Sequence, residues 1–169
     1  MTSPELLSEI VSRAIHHLEW NYERVERCLL VFEEDHIWMR ENENTLSIGN
    51  QLLHLSGNLR QWVLHSLGGQ VDDRNRAEEF ATINGKSQKA LMAELKSVVE
   101  ACVSVAEAID ETELMRVRAV QAYTLTGLAA LIHAVEHFSY HTGQIIQLTK
   151  MRYNISLDFY GGQALDTTN

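Results

Sequence analysis

Proline is nearly absent from this 169-residue chain: Pro4 is the only one, and glycine supplies nine residues. So few interior helix breakers favour long, uninterrupted helices. Cysteine is scarce as well. Cys28 and Cys102 lie far apart in helix-like segments and form no CxxC pair. A disulfide scaffold is therefore not expected, and both read as small buried hydrophobes of a reducing compartment. Basic charge is short, with 14 Lys and Arg against 23 Asp and Glu, for a net charge of -9. Phosphate contacts need Lys and Arg, so neither nucleic acid nor a membrane surface is an expected partner. No uncharged apolar run approaches the ~20 residues that a bilayer span requires. The first twenty residues carry Glu5, Glu9, Arg13 and Glu19, which leaves no room for a signal-peptide core, and a cytoplasmic location is expected. No Ser-His-Asp order, glycine-rich phosphate loop or paired-carboxylate motif is visible.

What is present is a 45% hydrophobic, 22% charged composition, the balance of a globular protein. The length suits one domain over residues 1–169. Four helices are predicted. The first opens at Ser3-Pro4-Glu5, with a capping hydroxyl, a proline where its missing N–H costs nothing, and an acid at the positive helix end. It runs to about Val31. The second starts near Thr45 or Ser47 and stops at Gly68-Gly69. The third follows Ser87 and fades at Asp110, and the fourth runs from Thr126-Gly127 to about Arg152. The connections around 33–44 and 72–79 are polar and highly charged, respectively. Residues 115–123 alternate weakly, as a short extended piece would. From about residue 154 the chain, including Thr167-Thr168, reads as an irregular tail. The expected architecture is an all-α four-helix bundle.

The second helix from Leu46 to Leu67 and the fourth from Thr126 to Leu148 are unusual in carrying one formal charge each, Arg60 and Glu136. A helix with a wet face normally shows Lys and Glu there, so both are expected to be covered over most of their circumference. At ~100° per residue, Asn50, His54, Asn58, Gln61 and His65 gather into one uncharged polar stripe on the second helix. Bordered by apolar residues, that stripe reads as the lining of a polar cavity. On the fourth helix His133, His137 and His141 follow one another by single turns and span about 80° of arc. Imidazoles four residues apart are surface neighbours, so two of them can converge on one cation through their nitrogen lone pairs. A third ligand must come from another element, and His54 on the facing helix is the natural candidate.

These residues also resemble a known family. Ser47-Ile48-Gly49-Asn50-Gln51-Leu52-Leu53-His54-Leu55, and much later His137-Phe138-Ser139-Tyr140-His141-Thr142-Gly143-Gln144-Ile145, are similar to the DinB-like (DinB/YfiT) superfamily of small four-helix-bundle proteins. Length and helix order fit over nearly the whole chain. Thr142 stands where many members carry Arg. The resemblance implies a divalent transition metal, zinc or nickel, on His54, His137 and His141, with His133 left over as a pocket neighbour. Asn50, Asn58, Gln61 and Gln144 are further pocket candidates, and Trp38, Trp62 and Tyr140 are candidate walls. It also implies a small-molecule substrate, with a low-molecular-weight thiol activated for transfer as the leading expectation. A metal-dependent hydrolase and a non-catalytic metal- or small-ligand-binding stress protein are the alternatives. Bundles of this kind commonly pair through a helix face, so a homodimer is expected. His16, His17, His36 and His65 read as structural or surface residues.

Overall fold

A computed structural model describes residues 3–166, except for the Ser3 side chain, so the expected Ser3 cap and Thr167-Thr168 lie outside the described residues. Four long helices dominate: α1 (Ser3–Leu29), α2 (Ile48–Leu59, prolonged by a π-helical turn over Arg60–His65), α4 (Gln88–Ala108) and α6 (Gly127–Tyr153). Between them lie two short helices, α3 (Arg76–Ala81) and α5 (Glu111–Met115), and an antiparallel hairpin of β1 (Val117–Val120) and β2 (Tyr123–Thr126). The chain is an all-α bundle with a small two-stranded appendage. No helix among the described residues is long and apolar enough to cross a membrane.

Local chemistry accounts for the helix boundaries. Ser47 and Asn50 form a reciprocal capping box at the start of α2, Ser87 caps α4, and Thr126 caps α6 through the backbone N–H of Ala129. Past the α2 turn the chain leaves the helix at Gly69, whose φ of 69° is a conformation that glycine adopts without strain. The hairpin falls where weak alternation predicts an extended piece, although its second strand continues to Thr126.

α1 packs on α4 and α6, and α2 also packs on α4 and α6. Helices consecutive along the chain, α1 with α2 and α4 with α6, therefore sit across the bundle from one another. Crossing it takes a long connection, which explains the extended segments 30–47 and 109–126. The core joins Leu18, Val25, Leu52, Leu55, Leu59, Trp62, Leu95, Val98, Leu131, Phe138 and Ile145, all almost fully buried.

The expectation of two nearly covered helices holds for α2, where ten residues from Ile48 to Leu59 are buried. It fails for α6. Ile132, Glu136, Ser139, Tyr140, Gly143 and Gln147 form an exposed stripe on that helix, so a low charge count there reflects an outer face built mostly from uncharged residues rather than burial.

Candidate metal centre

His54 enters the bundle from α2, and His137 and His141 enter from α6. One ring nitrogen of each lies within 4.8 Å of the others, which makes this the three-residue cluster among the described residues able to hold a metal ion. The ring centroids are 4.7–5.0 Å apart. His54 and His141 are buried, and His137 is half-buried.

Two of the three rings, His54 and His141, are held at their outer nitrogens. His54 Nδ1 lies 2.8 Å from Glu79 Oε2. A carboxylate only accepts, so Nδ1 carries the proton and Nε2 keeps its lone pair. Arg74 Nη2 is 3.2 Å from the same Nδ1, but two donors cannot bond each other. Arg74 instead grips the carboxylate with both arms, Nε to Oε1 at 2.7 Å and Nη2 to Oε2 at 2.8 Å. His141 Nδ1 makes a long 3.4 Å contact with Gln51 Oε1, which leaves its other nitrogen toward the cluster. His137 Nε2 then faces His54 Nε2 at 2.9 Å.

Burial is the main force on the two α6 rings. It pushes the His137 imidazolium down to about 3, helped by His141, His54, His133 and Arg74, and pushes His141 down to about 4, helped by His54 and opposed by Gln144. At neutral pH both are neutral bases. Burial alone would raise the Glu79 carboxyl, but the hydrogen bonds and charges of Arg74 and His54 hold it below the ordinary range. The centre is therefore a set of converging imidazole nitrogens, with His137 and His141 neutral, backed by an ionised carboxylate. This is a donor set suited to a borderline divalent cation and compatible with metal binding.

The remaining candidates divide. His133 stacks between Trp62, at 3.8 Å, and His137, at 5.4 Å, one turn outside the cluster. Gln144 borders His141. Asn58 is buried on α2. Asn50 does not face the histidines as a cavity lining would. Its side-chain oxygen closes the capping box and accepts from Arg40, while its amide donates to the carbonyls of Glu79 and Thr82 at 2.9 and 2.6 Å. Gln61 is likewise engaged, donating to Asp72 and accepting from Arg74 and Gln121. Past Leu59 the wider π turn ends the 100° spacing on which the polar stripe rests, and His65 bonds the Gln70 carbonyl instead. Tyr140 meets His141 edge-on but is 63% exposed. Trp38 donates to the Lys86 carbonyl and lines a cleft of about 470 Å3 that reaches Arg74 and Glu79 from the other side. Thr142 is buried beside His141.

Arg74, Glu79, Phe80 and Gln51 escape the sequence reading. The first three sit in a segment whose charge density resembles a solvated loop. Asn75, however, caps Glu78 N, and the same segment carries Phe80, whose ring packs 4.8 Å from His54. An N-cap, two acids three and four residues on, and an aromatic residue were the available signal for a short docked helix.

The family described as "protein of unknown function" (DUF1572) matches residues 6–157. A DinB-like protein of Bacillus subtilis, YjoA, superposes with a TM-score of 0.65 at 22% identity, covering 90% of this chain and 97% of that one. A DinB-like protein of Bacillus cereus gives 0.67 at 12% identity, with 86% and 93% covered. A conserved protein of Enterococcus faecalis gives 0.64 at 18%, with 89% and 97% covered. At such identities the likeness establishes the fold, which is the DinB-like one. The sequence has no match among the curated proteins.

Proposed function

We propose that this chain, which belongs to the DUF1572 family, binds a divalent transition metal, zinc or nickel, through His54, His137 and His141 and uses it to activate a small thiol for transfer to an electrophile. The observation that carries the metal reading is the convergence of three imidazole nitrogens within 4.8 Å of one another, with His54 and His141 already bonded at their outer nitrogens. Three protein ligands leave room for a further one, the pattern of a catalytic rather than a structural site. Bound there, the ion would supply Lewis acidity, lowering the pKa of a thiol at neutral pH.

The surroundings favour a thiol over water. Hydrolysis at a metal site usually draws on a carboxylate general base, as in helical His-Glu-x-x-His enzymes. Among the described residues, the carboxylate in reach of the triad is Glu79, and both its oxygens are engaged by Arg74 and His54. Glu136 stands on the exposed side of α6. A thiol ionises well enough to need no such base. The net reaction would be R–SH + R′–X → R–S–R′ + HX, with the half-buried His137 edge as the approach and His133 and Trp62 as its wall.

Two measurements test this reading. Tag-free protein incubated with zinc or nickel is expected to retain about one equivalent by elemental analysis. His54→Ala, His137→Ala and His141→Ala should each lose it, while His133→Ala should lose least. An empty wild type, or three variants that bind as well as it does, would sink the metal centre. Cobalt-loaded protein should change its visible spectrum when a low-molecular-weight thiol is added. A spectrum indifferent to thiols but titrating near neutral pH, with turnover of an ester or amide panel, would favour the hydrolase instead.

A further inference from the structure

We propose that Glu79, clamped by Arg74, is the positioning residue of the triad: it fixes the His54 proton on Nδ1 and so aims the Nε2 lone pair at His137 and His141. The proposal rests on the reading of the triad as a metal centre, but its own observations lie outside the three rings. The Glu79 side chain is 9% exposed, His54 4% and Arg74 3%, so the chain of contacts is shielded from water along its length. A buried carboxylate held only by an imidazole would be free to turn. Here the guanidinium occupies both oxygens in a planar fork, and Gln61 Oε1 in turn accepts from Arg74 Nη1 at 2.9 Å.

The helix that delivers Glu79 is pinned as well. Asn50 on α2 donates to the carbonyls of Glu79 and Thr82, and Arg40 donates to the Phe80 carbonyl at 2.5 Å. Space for the carboxylate comes from Gly57, one turn after Leu53, because a Cβ at that position would overlap Glu79 Oε1. A missing side chain on α2, the α3 residue Glu79 and Arg74 just before that helix thus meet at the outer edge of one histidine. A carboxylate partner of this kind makes the imidazole a stronger donor, and its loss from metal sites typically costs ~10–100-fold in affinity.

The test uses full-length protein and cobalt or zinc alone. Glu79→Gln keeps the volume but removes the charge, Arg74→Gln with Glu79→Gln removes the pair without orphaning either ion, and Gly57→Ala displaces the carboxylate with every charge retained. Each is expected to bind ~10–100-fold more weakly by competition with a chromophoric chelator, with a shifted cobalt absorption band. Nitrogen NMR of the imidazoles in metal-free protein gives a second readout. The wild type should show His54 protonated on Nδ1, and the variants a mixture with Nε2. Thermal melts identify any variant that fails to fold, and the tautomer ratio is read only on folded protein. Folded variants that keep wild-type affinity and the wild-type tautomer overturn the proposal and leave the metal centre standing. A wild type that takes up no cobalt overturns the centre itself, and the inference with it.

Discussion

At the scale of single residues, the centre stores a conflict that the metal would relieve. His137 and His141 are neutral in the folded protein because burial and neighbouring positive charge disfavour their imidazolium forms, pushing them to about 3 and about 4. The unfolded chain has no such constraint, and its histidines titrate near ~6.5. Above that value both states are neutral and the two residues contribute no pH dependence. As pH falls below it, the unfolded chain takes up protons that the folded one refuses, so stability falls until the folded groups also titrate. Metal-free protein should therefore lose stability steadily from pH 6.5 toward pH 4, seen as falling urea midpoints. A His137→Gln/His141→Gln variant should show a shallower decline over that window. Equal slopes would mean that the two rings are not held neutral by the fold.

At the scale of elements, α3 is a small helix with a large dependency on one side chain. Asn50 is both the N3 residue of the α2 capping box and the donor to the carbonyls of Glu79 on α3 and of Thr82, which caps it. Asn50→Ala removes both roles and is expected to cost about 2–4 kcal/mol, from a lost cap and buried carbonyls left unpaired. Asn50→Asp keeps the cap oxygen but sets a second acceptor against those carbonyls. It should therefore retain α2 while loosening α3, visible as faster amide exchange confined to residues 76–82, and lower metal affinity because Glu79 travels with that helix. Uniform exchange changes across α2 and α3 would contradict this division of labour.

The same element marks where sequence reading stops. The four long helices were legible because each carries its own signals, a Ser or Thr cap, an apolar stripe and a glycine stop or polar connection. His54, His137 and His141 were legible because helical spacing puts the last two on one face and an uncharged helix carries the first. Glu79 and Arg74 were not, since nothing local relates a charged run at 72–79 to a histidine twenty-odd residues earlier. That relation exists only once α3 folds back over Gly57. The polar stripe of α2 misled for a different reason: Asn50 and Gln61 are polar to bind neighbouring backbone and Arg74, and the π turn at Arg60–His65 breaks the spacing beyond them. The low charge of α6 misled because an outer face can be built from Ser139, Tyr140, Gly143 and Gln147 as well as from Lys and Glu.

At the scale of the whole molecule, the centre ties together helices that lie far apart in sequence. His54 is on α2, and its partners are on α6, more than eighty residues later. The unfolded chain has no such constellation, so a metal held by all three binds the folded state almost exclusively, and its binding free energy is added to folding. At a free concentration of 100 times Kd the gain is ~2.7 kcal/mol. For a domain of this length that corresponds to a Tm rise of about 5–10 °C. The rise should be logarithmic in zinc concentration, reversible by chelator, and absent in His54→Ala and His141→Ala, which remove one ligand from either side of the bundle. Because α2 and α6 both pack against α1 and α4, the effect should raise a single cooperative transition rather than split it. A zinc-dependent shift that survives in both variants would place the binding elsewhere, on the acidic surface that the net charge of -9 creates.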